Sequence, residues 1–165
     1  MTRSLLLILM LALCGCGLHP LYVGGQSSPV AQGLRTIAVG TIPGRVGWLT
    51  RNALVDRLGG DAGRAAKYRL EVELDDNISG FGIRGDSATT RERRTLRARY
   101  RLVELANGAV VLDATAGSDA GIDVVSSEYA TVAAEQSAVE RLVVVVADQI
   151  AARLATFAAR TPAAP

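Results

Sequence analysis

Residues 96–116 read LRARYRLVELANGAVVLDATA, and this stretch decides the fold. Leu96, Ala98, Tyr100 and Leu102 alternate with Arg97, Arg99 and Arg101. A period of two sends the apolar set to one face of a strand and the arginines to the other. Asn107-Gly108 then carries the type I′ hairpin signal, and residues 110–116 supply the returning strand. The same alternation stands upstream, where Tyr68, Leu70, Val72 and Leu74 interleave with Arg69, Glu71, Glu73 and Asp75. Three half-buried antiparallel strands follow from these patterns.

Outward from the strands the period changes. Residues 36–42 (TIAVGTI) are β-rich and bounded by Gly33 and Pro43, which predicts a first strand. Trp48, Leu49, Ala53, Leu54 and Leu58 recur at helical spacing, and Gly59-Gly60 stops that helix. A second helix is predicted over residues 126–160, where Val132, Val139, Leu142, Val143, Val146, Ile150, Leu154 and Phe157 keep the 3.6-residue period. The four valines at 143–146 have high β propensity, but their flanks hold the helical period. The fold class is α+β: a four-stranded, mostly antiparallel sheet with two helices packed on one face. A single domain over residues 34–160 accommodates all of it. Such a chain buries roughly 68–70% of its unfolded surface, enough for one core without staples. A net charge of +2 gives no bulk attraction to nucleic acid.

The N-terminus has a different character. Residues 5–13 (LLLILMLAL) follow Arg3 as an uninterrupted apolar run. The run falls short of the roughly 20 residues that span a bilayer, and it matches a signal-peptide h-region. Both cysteines follow at once. Cys14 has the bulky Leu13 immediately before it, whereas Cys16 has Leu13, Cys14 and then the small Gly15, the order a lipoprotein signal peptidase requires. Residues 1–15 are therefore expected to be removed and Cys16 lipidated, a membrane anchor of several acyl chains. A C-x-C metal or redox pair would need further Cys or His ligands. Gly17 stands where Asp retains lipoproteins of enteric bacteria in the inner membrane, so the expectation is the outer membrane. Residues 23–32 (VGGQSSPVAQ) complete a lipidated N-terminus and flexible linker over residues 16–33, and residues 161–165 form a disordered tail.

Catalytic motifs are scarce. The one histidine, His19, lies three residues from the anchor, which rules out a histidine-based triad or metal centre in the domain. Gly80-Phe81-Gly82-Ile83-Arg84-Gly85 fits G-x-G-x-x-G after a strand. A dinucleotide site also needs a helix after the third glycine, and here an alternating strand follows, so the reading is a flexible glycine loop. Neither an enzyme nor a cofactor is expected.

The residues Cys16, Gly17, Leu18, Pro20, Leu21 and Tyr22 of CGLHPLY resemble the mature N-terminus of the lipopolysaccharide-assembly lipoprotein family, above all its alphaproteobacterial members. The likeness continues through TIAV, Arg51-Asn52-x-Leu54, YRLEVEL, ATTRERRTLRARYRL and the final Ala-rich helix. Leu18 stands where Phe is commoner. The resemblance implies a lipid-anchored outer-membrane protein on the periplasmic side, without enzymatic activity. Its implied partners are an outer-membrane β-barrel that forms the lipopolysaccharide translocon, and lipopolysaccharide itself. The alternative is an auxiliary lipoprotein of an ABC-type lipid transport system, which would dock on an envelope-spanning transporter.

Residues 84–101 hold seven arginines against two acids. Arg97, Arg99 and Arg101 share a strand face, and Arg91, Arg93 and Arg94 extend the charge toward the preceding loop. Guanidinium groups suit phosphate because their fork donates two parallel hydrogen bonds, so these six arginines are the candidate lipopolysaccharide phosphate site. Against this, Glu71, Glu73 and Asp75 on the neighbouring strand offer cross-strand ion pairs to Arg97, Arg99 and Arg101. Arg91 and Arg93 are expected to lie beyond the reach of those acids.

Overall fold

The computed structural model describes residues 28–60, 66–83 and 89–161. The signal peptide, Cys14, Cys16, His19, Arg84 and residues 162–165 lie outside the described residues. Among the described residues seven elements follow in order: α1 (Pro29–Leu34), β1 (Ile37–Val39), α2 (Gly44–Leu58), β2 (Tyr68–Ile83), β3 (Thr89–Glu104), β4 (Val110–Asp123) and α3 (Glu128–Arg160). The strands form one sheet in the order β1-β2-β3-β4. β1 pairs parallel with β2, and the other pairs are antiparallel. The α+β class and the mostly antiparallel sheet stand as the alternation predicts, with one helix more than the two expected.

That helix is α1, which begins inside the segment whose composition reads as linker. Ser28 and Pro29 are turn formers in a linker, but together they also start a helix. The Ser28 hydroxyl accepts the Ala31 N–H at 3.1 Å, and Pro29 occupies the first turn, where its missing N–H costs nothing. Leu34 is buried, and a Cβ on Gly33 would lie 3.0 Å from Cβ of Ala158, so α1 sits tightly on the last turns of α3.

On α2 the buried stripe is Gly47, Thr50, Leu54 and Leu58. It is rotated from the predicted one, because Trp48 is 61% exposed. The cause is a close approach: a Cβ on Gly47 would fall 2.6 Å from the Ile42 carbonyl oxygen, so only glycine lets the chain pass there. Thr50 is fully buried and donates its hydroxyl proton to the Val46 carbonyl at 2.8 Å. Gly59 ends the helix with φ 91°, and the Gly60 N–H reaches back to the Val55 carbonyl at 2.8 Å.

The hairpin between β3 and β4 is wider than a type I′ turn. Glu104 N–H donates to the Ala109 carbonyl at 2.8 Å, leaving a four-residue loop. Within it only Gly108 takes positive φ, 73°, among the described glycines of the hairpin. Asn107 acts through its side chain, which accepts the Ala109 N–H at 2.9 Å and donates to Glu104 at 2.8 Å. A register shift beside Leu102 and Val103 then inserts one extra residue into β4.

The core lies between one face of the sheet and α3. Leu70, Val72, Leu96, Ala98, Tyr100 and Leu102 from β2 and β3 meet Val139, Leu142, Val143, Val146, Ile150 and Leu154 from α3. Tyr68 and Phe157 close one end edge to face, with ring centroids 5.7 Å apart. α3 is long enough to cross a bilayer, but its apolar stripe is spent on the sheet, so it is a core helix.

Candidate functional site: an arginine column on the open face of the sheet

The face of the sheet turned away from α3 carries the charge. Register sets Arg97 opposite Asp75 and Gly117, Arg99 opposite Glu73 and Thr115, and Arg101 opposite Glu71 and Asp113. Arg93 stands opposite Ser79 and Gly121, and Arg91 opposite Phe81 and Asp123. Five arginines thus form a column down β3. An acidic column runs on each side of it.

The pairing is specific. Arg101 reaches Glu71 at 3.4 Å and Glu73 at 3.6 Å, the cross-strand pairing that β2 offers. Arg99 turns the other way and donates to both oxygens of Asp113, at 3.3 and 3.0 Å. This fork holds the Asp113 carboxyl below its ordinary range, through the hydrogen bonds first and the charge after them. It raises Arg99 further. Arg91 donates to Asp123 at 3.0 Å, and Arg93 stands 4.0 Å from Asp119 with its guanidinium 5.3 Å from the Phe81 ring centre. Arg91 and Arg93 lie beyond the reach of Glu71, Glu73 and Asp75, as expected, and the acids that meet them, Asp123 and Asp119, come from β4.

Arg97 differs from the rest of the column. Among the described residues it is the one arginine of the five without an ion pair. Its side chain lies over Gly117, where an added Cβ would fall 2.5 Å from the Arg97 Cδ. Glu73, Asp75, Arg97, Arg99 and Thr115 line a shallow open groove here.

Arg94 leaves the predicted set, since period two places it on the opposite face with Leu96 and Ala98. There it donates to both oxygens of Asp76, at 2.8 and 2.6 Å, and to the Glu135 carbonyl at 3.0 Å. The Asp76 hydrogen bonds push Arg94 above its usual range. It ties the sheet to α3 and does not belong to the column. The glycine loop is corrected as well: β2 runs on to Ile83, with Gly80 paired to Glu92 and Phe81 to Arg91. Among the described residues the G-x-G-x-x-G match has β2 up to Ile83 before it and β3 from Thr89 after it, with no helix N-terminus beside it to hold a pyrophosphate. No group of three potential metal ligands stands together among the described residues.

One face of the sheet is sealed by a long helix, and the other carries ordered charge. The matching family is that of lipopolysaccharide assembly, LptE, over residues 34–154, and the chain belongs to it. A crystal structure from Caulobacter crescentus CB15, described as a lipoprotein, is 30% identical with a TM-score of 0.69. The alignment covers 83% of this chain and all of that one. Rare lipoprotein B of Shewanella oneidensis shares the fold at 11% identity and a TM-score of 0.53, over 76% of this chain and 92% of that one. Lipoprotein B of Nitrosomonas europaea does so at 10% and 0.57, over 74% and 82%. A comparison with curated proteins finds no match.

Proposed function

We propose that the protein is an outer-membrane lipoprotein, anchored through lipid on Cys16 at the periplasmic side. In this reading it associates with a β-barrel translocon and assists the insertion of lipopolysaccharide at the cell surface. Membership of the lipopolysaccharide-assembly family over residues 34–154 is the observation that carries the reading. The role is one of binding and assembly, without catalysis.

The arginine column supports a direct contact with the phosphates of lipopolysaccharide. Its ion pairs are exposed, with side-chain exposures of 63% and 75% for Arg91 and Asp123 and 60% and 42% for Arg99 and Asp113. Such pairs are worth about 0–1 kcal/mol, so a phosphate can replace a carboxylate on the guanidinium at small cost. Arg97 has no acid to displace, which makes it the first contact, with Arg91, Arg93, Arg99 and Arg101 beside it.

Crosslinked pull-down of the full chain from outer membranes tests the assignment. A single β-barrel partner is the expected product. Recovery of an ABC-linked substrate-binding assembly would replace the reading with the transport alternative. Mass spectrometry of the mature N-terminus checks the anchor, with lipid expected on Cys16.

A further inference from the structure

β4 is one edge of the sheet and runs for 14 residues; at the other edge β1 covers Tyr68 to Leu70 of β2. Its register with β3 is unbroken from Leu112 to Asp123. At Gly117 the backbone faces outward. Its N–H is accepted by Oε1 of Gln149 at 3.0 Å, and its carbonyl accepts Nε2 of the same side chain at 3.3 Å. Alternate residues of an antiparallel strand turn their backbone groups to the same side, so Asp113, Thr115, Asp119, Gly121 and Asp123 also face outward. Among the described residues no hydrogen-bond partner meets those five at the edge. Natural edges are commonly blunted by Pro or Lys, and β4 contains neither. The Gln149 amide, a single false rung at Gly117, is the one block on it.

The charges state what kind of strand fits. On the open face the columns alternate: acidic on β2 (Glu71, Glu73, Asp75), basic on β3, acidic on β4 (Asp113, Asp119, Asp123). A strand added beside β4 continues the alternation if it is basic. A second copy of β4 in antiparallel pairing would set the Asp column against itself, and like charges across a ladder repel. Asp119 and Asp123 keep side-chain exposures of 53% and 75%, so each retains oxygen surface for a second cation. Between them Gly121 has nothing within 4 Å of where a Cβ would stand, which leaves room for a long side chain from the incoming strand.

We propose that the outward backbone groups of Asp119, Gly121 and Asp123 receive an extended strand from a protein partner that carries Arg or Lys at every second position. The Gln149 rung confines that strand to the segment beyond Gly117. The probe is an end-capped octapeptide of alternating Arg and Val, added to the detergent-purified full chain and read by amide hydrogen exchange. The amides of Asp119, Gly121 and Asp123 should slow by about tenfold or more, while Ala120 and Ile122, already paired with β3, stay unchanged. The same peptide N-methylated on its ladder-facing amides keeps its charge and should give no protection. Substituting Asp119→Lys and Asp123→Lys together should move the preference to an alternating Glu and Val peptide. Equal protection by the N-methylated peptide, or none by the unmodified one at saturation, overturns the proposal, and both results are obtained on the unmutated chain.

Discussion

The two faces of β3 obey different physics within one strand. Toward α3, Leu96, Ala98, Tyr100 and Leu102 are at most 2% exposed, and their contribution comes from area removed from water. Away from α3, Arg91, Arg93, Arg99 and Arg101 hold carboxylates in water, where each pair adds little to stability. The apolar face has one packing solution, and the charged face has many exchangeable ones. Folding is written on the first.

The sharpest way to break this contrast is on the buried side. Leu154→Ala removes a fully buried side chain and should cost about 2–5 kcal/mol, seen as a lowered midpoint in thermal or urea unfolding. Arg94→Ala comes next, because Asp76 would lose a bidentate partner at a half-enclosed site with side-chain exposures of 13% and 23%. A loss of about 1–3 kcal/mol is expected, with faster exchange of α3 amides near Glu135.

Tyr100 sharpens the comparison through pH. Burial pushes its phenol up, with the charge of Arg153 opposing in part. The folded chain then holds this proton at pH values where the unfolded chain has released it. Its stabilising contribution is complete below the ordinary tyrosine range near pH ~10 and is lost as pH rises above it. Tyr100→Phe should flatten that alkaline limb of the stability profile and leave the neutral region little changed. The smallest effect is expected on the open face: Arg97→Ala, with no ion pair to lose, should stay within about 0.5 kcal/mol of the parent.

Most of the frame was legible because burial imposes a period. Alternation placed β2, β3 and the start of β4, and the 3.6-residue spacing carried α3 through its four valines. The same parity also put Arg94 with Leu96 and not with Arg97, a signal present in the sequence and masked by the density of arginines around it. Residues 117–123 (GSDAGID) of β4 have poor strand propensity, and they pair because β3 offers a ladder and arginines for Asp119 and Asp123. That long-range gain has no local trace. Ser28 and Pro29 serve a linker or a helix start equally well, and contact with Ala158 decides between them. The buried stripe of α2 turned on Gly47, a position that no hydrophobic count would select.

Lipopolysaccharide titration of the full chain, parent against the Arg91→Glu/Arg93→Glu double variant at two ionic strengths, tests the division between the faces most directly. The variant should bind about tenfold or more weakly at low salt, and the gap should narrow at ~1 M salt, where the screening length falls to about 3 Å. Its circular dichroism, unfolding midpoint and recovery with the β-barrel should match the parent. Unchanged lipopolysaccharide binding by a folded double variant would contradict the account, and the arginine column would then be a solvated sheet face and nothing more.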